Sequence, residues 1–191
     1  MRKYAIWIVL GILVLLSITG YNGLVSSRET VNTAWANVEN VYQRRADLIP
    51  NLVNTVKGAA DFEKSTLEAV TQARAGATSI HLTANDLTPE KLQQYQQAQA
   101  QLSGALGRLL AVAENYPQLK AVQNFQDLQA QLEGTENRIN EARRQFNEAA
   151  QAYNTSRQKF PRNILANLFG FKEKPYFEAD KGSEKAPTVK F

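Results

Sequence analysis

The sequence predicts an all-α protein: one apolar membrane helix at the amino terminus, then three or four antiparallel amphipathic helices in a bundle. Three observations carry this. Tyr4 to Ser27 hold no charged residue. The following hundred or so residues are dominated by Ala, Gln, Glu, Leu and Arg, which form helices readily, and strand signals are weak. Apolar residues there recur at steps of three and four.

The uncharged run would make roughly 36 Å of helix at about 1.5 Å per residue, against about 20 residues needed to cross a hydrocarbon core. Tyr4, Trp7 and Tyr21 stand near its ends, where amphipathic rings favour the interface. Arg2 and Lys3 precede it, and Arg28 and Glu29 cancel beyond it. The positive-inside rule then puts the amino terminus in the cytoplasm and the body outside. A cleaved signal peptide is the competing reading. Its Ala-x-Ala site is missing, with Ser17-Ile18-Thr19 a loose substitute, and the length favours a retained anchor. The divisions expected are residues 1–27 as anchor, 28–160 as bundle and 161–191 as an apolar stretch with a charged tail.

In the first body helix Val31, Ala34, Val38, Val41, Arg45, Leu48, Leu52 and Val56 share one stripe, widened by Trp35, Tyr42 and Ile49. Pro50 lies within it and is expected to kink or loosen the helix. Gly58 and Asp61 mark a break before a second helix, Phe62 to Ala75, with a continuous bent helix as the alternative. Gly76 to Leu87 read as a loop. Thr88-Pro89 opens a third helix, hydroxyl at the cap and proline at the first position, running to about Asn115. A last helix follows, with Asn115 as cap and Pro117 in the first turn. Its stripe is Val122, Phe125, Leu128, Leu132, Thr135, Ile139, Ala142, Phe146, Ala149, Tyr153, Ser156 and Phe160, a 3.5-residue repeat ended by Pro161. Such a helix would be about 65 Å long.

Composition excludes much chemistry. There is no cysteine, hence no disulfide, thiolate nucleophile or Cys-ligated metal, and one histidine, His81, cannot build a multi-His site. A net charge of +4 without clustered Lys and Arg does not indicate nucleic acid. No nucleophile elbow, phosphate-cradling loop or His-Glu-x-x-His is present, and no cofactor is expected. His81, in a Thr/Ser-rich loop, reads as a solvated side chain. The densest unusual cluster runs from Arg44 to Val53. Arg45 falls on the apolar stripe, and two readings stand. Either Arg44, Arg45 and Asp47 form a ligand or catalytic site, or Arg45 pairs with a carboxylate of the last helix, Glu136 or Glu141, and fixes register. The second is favoured. Asn51 is expected to bond carbonyls released by Pro50.

The segments Tyr21 to Val25, Arg28, Val31, Ala34-Trp35, Arg44 to Val53, Val56 to Gly58, Glu63 and Ala73-Arg74 resemble the LemA family of bacterial membrane proteins. So do Glu114 to Ala121, Phe125, Leu128, Leu132-Glu133, Glu136, Ile139, Ala142-Arg143, Phe146-Asn147, Tyr153-Asn154, Phe160-Pro161, Gly170-Phe171 and Tyr176 to Glu178. Phe146-Asn147 stands where the family often has Tyr-Asn, Gly58-Ala59-Ala60 replaces Gly-Tyr-Ala, and Phe62 replaces a following His. The resemblance implies an elongated up-and-down four-helix bundle behind a membrane helix, and no known enzymatic activity.

The expected function is a non-enzymatic, membrane-tethered scaffold that self-associates as a homo-oligomer and contacts other envelope proteins. Its expected interaction surface is the apolar end near Tyr153 and Phe160 together with Ile164 to Phe171, Leu168 and Phe169 above all. The shorter second and third helices cannot cover that end, and the competing outcome is that Ile164 to Phe171 fold back onto their own bundle and hide it.

Overall fold

The computed structural model describes residues 2–58 and 62–178. Among these residues all regular structure is helical, in the order α1 (Arg2–Lys57), α2 (Lys64–Ser79), α3 (Pro89–Ala113), α4 (Pro117–Lys120), α5 (Gln123–Gln158) and α6 (Arg162–Leu168).

The anchor and the first body helix are one element. Nothing in Gly20 to Val31 interrupts the α-helical pattern, so α1 runs 56 residues, about 84 Å. Its apolar first part is uncovered: Trp7 is 73% exposed and Leu15 63%. From Leu24 onward one face is buried, through Val31, Trp35, Val38, Tyr42, Ile49, Leu52 and Val56. This is the predicted stripe, with the widening residues buried more deeply than Val41 and Leu48. Pro50 lies inside the helix without ending it.

The chain turns at Gly58, and residues 59–61, the expected site of a break that includes Asp61, fall outside the described residues. The second helix lies at 64–79, later than the predicted 62–75, and the loop is 80–88. Thr88 caps α3 as its sequence dictates: its Oγ1 accepts from the Lys91 amide at 3.3 Å and Pro89 takes the first turn. Asn115 does not cap the last helix. Pro117 opens the single turn α4 after Tyr116, and α5 starts only at Gln123, behind Val122. At 36 residues it spans about 54 Å, shorter than the sequence led one to expect.

Two apolar clusters fix the directions of the long helices. One joins the far end of α1 (Ile49 to Val56), α2 (Leu67 to Ala77), the end of α3 (Leu102 to Ala113), Leu119 of α4 and the start of α5 (Phe125 to Leu132). The other joins Leu24 to Tyr42 of α1, Leu82 and Leu87 of the loop, Leu92 and Tyr95 of α3, and Ile139 to Tyr153 of α5. Thus α1 and α3 run away from the anchor, and α2 and α5 run back.

The C-terminal segment is the main departure from expectation. Residues 171–178 form an extended strap along α5 that sinks Phe171 and Phe177 into the anchor-side cluster, so Phe171, expected to end an exposed apolar stretch, is buried, and 172–178 are not the start of a free charged tail. With α6 it covers the end of α5, so Tyr153, expected to be bare, is 1% exposed. Phe160 remains exposed, as do Ile164, Leu168 and Phe169. The charged end containing Pro187 lies outside the described residues.

Candidate functional site

Between the two apolar clusters lies a polar layer centred on Arg45, which is 2% exposed. The heptad stripe of α1 carries this side chain inward, where α3 and α5 meet it directly and α2 through Gln99. Nη1 donates to Ser103 Oγ of α3 at 2.7 Å and to Glu136 Oε2 of α5 at 2.9 Å. Nη2 donates to the Gln99 side-chain oxygen at 2.6 Å and to its carbonyl at 3.2 Å. Gln99 passes the connection on, its amide donating to the Ala77 carbonyl of α2 at 3.3 Å. The Tyr42 ring lies 5.1 Å from the guanidinium carbon, a favourable cation–π placement. Nε alone has no partner among the described residues. Glu136 is 47% exposed, so the buried cation is neutralised by a carboxylate with one side in water.

A second polar tie answers a backbone defect. Pro50 has no N–H, so the Ala46 carbonyl four residues earlier loses its helical donor. Arg74 of α2 supplies one, Nε to the Ala46 oxygen at 2.8 Å. Asn51, expected to do such work, is exposed, and its own carbonyl accepts from Thr55 at 2.9 Å. The sequence places Arg74 at helical spacing with Leu67, Val70 and Ala73, and the resemblance includes it, but neither points to the Ala46 carbonyl as its partner.

The predicted polar cluster does not converge. Arg45 points into the bundle, whereas Arg44 and Asp47 are exposed, and Asp47 accepts from Gln43 at 2.8 Å. Glu141, the other carboxylate considered for Arg45, pairs on the surface with Arg144 at 2.6 Å. Hydrogen bonds from Arg144 and Gln145 hold the Glu141 carboxyl below its ordinary range. A recess of about 80 Å³ opens beside Gln99, lined by Glu39, His81 and Tyr95 among others. That is room for two or three waters at about 30 Å³ each. Among the described residues no three carboxylate or histidine side chains are placed to share a metal ion.

The strap is held by side chains that imitate a β-ladder. Asn154 donates to the Lys174 carbonyl at 2.8 Å and accepts its amide at 3.0 Å. One heptad earlier Asn147 does the same to Phe177, at 3.0 and 2.8 Å. Two heptad-spaced asparagines thus satisfy peptide groups that have no neighbouring strand. Tyr153 donates to the Lys172 carbonyl at 2.9 Å, Arg157 to that of Phe171 at 2.7 Å, and Gln96 and Arg143 to that of Glu178 at 2.7 and 2.9 Å. Phe177 enters an aromatic cluster with Trp35 and Phe146, at centroid distances of 6.2 and 5.5 Å. Trp35 also donates to the Leu82 carbonyl at 2.9 Å, tying the loop to α1. Lys174 is buried, its ammonium on the Ala84 carbonyl, and burial holds its pKa below the ordinary value.

Many residues in these arrangements are those that carried the resemblance: Trp35, Arg45, Pro50, Arg74, Glu136, Asn147, Asn154 and Phe177. The sequence model of the LemA family matches residues 34–191. The chain belongs to the LemA family. It is 30% identical over 186 residues to magnetosome protein MamQ 2 of Paramagnetospirillum magneticum, a match covering 88% of this chain and 68% of that protein. The same identity and coverage hold for magnetosome protein MamQ of Magnetospirillum gryphiswaldense. Protein LemA of Metamycoplasma hominis is 22% identical over 160 residues, covering 84% of this chain and 69% of its own length. With its exposed apolar helix, this LemA-family chain is a membrane-associated helical protein.

Proposed function

We propose that this LemA-family chain is a non-enzymatic scaffold, tethered to the bacterial inner membrane and self-associating in the membrane plane. One observation carries the tethering. In α1 an uncovered apolar run of spanning length continues without a break into the stripe that organises the bundle core. An anchor joined in this way positions and orients the body, with no break in the helix between them. The inward polar groups support structure over catalysis, because buried Arg45, Gln99 and Asn154 and half-buried Asn147 spend their hydrogen bonds on one another's helices and on the strap.

The charge pattern favours a cytoplasmic amino terminus and a periplasmic body. Arg2 and Lys3 precede the span, while beyond it Arg28 and Glu29 pair at 3.5 Å. Self-association is supported by anchors that hold copies in one plane, which raises their effective concentration. The outward faces of α3 and α5 are uncovered, with Gln93, Gln94, Gln97 and Gln101 exposed on α3. Other envelope proteins are the alternative partners for those faces.

The test is the particle mass of the full chain in mild detergent, by light scattering, with carbonate extraction of membranes. Retention after the wash and a mass several times that of one chain are expected. Release by carbonate overturns the tether; a monomer at high concentration overturns self-association. A cysteine placed in the described strap, at the exposed Lys172, should label from outside the cytoplasm.

A further inference from the structure

We infer that α6 and the adjoining Phe169 form a second membrane contact, a foot that seats Ile164, Leu168 and Phe169 in the boundary of the bilayer that α1 crosses. This rests on the tether reading of α1. The first support is position. A Cβ on Gly20 would come within 2.9 Å of Leu165 Cδ1, and one on Gly23 within 3.0 Å of Arg162 Nη2. The ends of the Leu165 and Arg162 side chains thus lie against the bare backbone of these glycines, which places α6 beside α1 at this level. The Tyr21 ring meets Phe169 edge-on at 5.0 Å and Phe171 at 5.6 Å.

The second support is depth. A hydrocarbon core about 30 Å thick takes about 20 residues of helix. Counted from Tyr4, directly after the two cations, such a span ends near Gly23. The contacts of α6 fall on its last turn, so the foot stands at the interface and not in open water.

The third support is which side of α6 is bare. Ala166 is buried and Leu165 partly so, while Ile164, Leu168 and Phe169 are 56%, 74% and 57% exposed. Phe169, edge-on to Tyr21, joins this bare side to the uncovered apolar surface of the anchor, where Ile18 and Tyr21 are exposed. Exposed Lys159 and Lys172 bracket the segment in sequence, as suits a contact flanked by lipid headgroups. The bilayer is the occupant these observations favour; a second copy of the chain is the competing one.

The chain has no cysteine, so L168C, N140C and L15C each create one labelling site in the full-length protein. Each variant carries an environment-sensitive nitrobenzoxadiazole label in phosphatidylcholine/phosphatidylglycerol vesicles, with nitroxide lipids as quenchers, at two protein-to-lipid ratios. At position 168 the emission should be blue-shifted and quenched several-fold more by shallow nitroxides than at position 140, equally at both ratios. Adding I164D and F169D to L168C should abolish that quenching while far-UV circular dichroism stays helical. Quenching at position 15 without quenching at 168 overturns the foot and leaves the tether. Quenching at neither overturns the tether. Protection at 168 that weakens as the protein is diluted in lipid assigns the surface to a second copy and overturns the foot.

Discussion

Arg74 occupies the place of the hydrogen-bond donor that Pro50 lacks: its Nε lies 2.8 Å from the Ala46 carbonyl, inside the i to i−4 ladder of α1. A proline in a helix interior ordinarily costs about 3 kcal/mol or more. Here its orphaned acceptor becomes the fastening point of α2. Arg74→Ala should then destabilise by about 1–3 kcal/mol, the range for a buried acceptor left unpaired. In a Pro50→Ala background the restored N–H can take the same carbonyl, so the second Arg74→Ala step should cost distinctly less. A thermal-melt double-mutant cycle in detergent reads the difference. Equal costs in both backgrounds would show that Arg74 acts only by packing.

The Arg45 layer makes a prediction of sign. Glu136→Ala leaves a buried cation without its carboxylate, a loss of roughly 3–5 kcal/mol when water is excluded. Glu136 is 47% exposed, so water can partly replace it and the lower end of that range is expected. Converting Arg45 to Met in the Glu136→Ala background removes the stranded charge and should recover stability. If the double variant melts lower than Glu136→Ala alone, the pair is not the balance of charge described here.

The helical frame was readable because its residues act through spacing. Val31 to Val56 and Phe125 to Tyr153 repeat at three and four, and Thr88-Pro89 is a capping signal that works within one turn. What could not be read acts across space. Gln99 looks like one glutamine among many, and only the fold brings it to Arg45. The strap has no periodicity, because extended chain held by side chains leaves no apolar rhythm; Phe171 and Tyr176 to Glu178 stood out only through the resemblance. The resemblance had singled out Arg74, Asn147 and Asn154, and the structure supplies the physical reason for each. At Tyr153 the lesser of the two expectations holds: the segment after Pro161 folds back onto its own bundle and covers the ring, an outcome that apolar spacing alone does not decide.

The strap should come loose if its ladder is broken. Asn154→Leu removes both hydrogen bonds to Lys174 and leaves that buried amide and carbonyl unpaired, costing about 1–3 kcal/mol for each group left unsatisfied. The strap sits at the chain's edge, so it should detach before the bundle melts. Limited proteolysis with trypsin after Lys172 reads this directly, with faster cleavage expected in the variant. Asn154→Asp should have a similar effect, because a carboxylate accepts the Lys174 amide but cannot donate to its carbonyl. Cleavage at the wild-type rate in both would mean that Phe171 and Phe177 hold the strap without the asparagines.

Alkaline pH should unfold the bundle through Tyr95. Burial, with the nearby Tyr42 and Glu39 adding to it, pushes this phenol well above its ordinary pKa of 10.0. Burial also raises Tyr153. A group whose folded pKa is raised contributes stability below its unfolded pKa and loses it as pH climbs above that value. Above pH 10 the unfolded chain releases these protons while the folded chain keeps them, so stability falls by about 1.4 kcal/mol per pH unit for each proton retained. Lys174 acts the other way. Its pKa is lowered by burial, so the unfolded chain holds its proton longer and stability rises with pH up to about 10.5. Wild type should therefore gain a little stability on the approach to pH 10 and lose it beyond. Tyr95→Phe should flatten the loss above pH 10 and leave the rise, whereas Lys174→Met should remove the rise and leave the loss. Denaturant midpoints measured between pH 8 and 11 separate the two. An unchanged alkaline slope in Tyr95→Phe would show that the buried phenol is not the group that titrates.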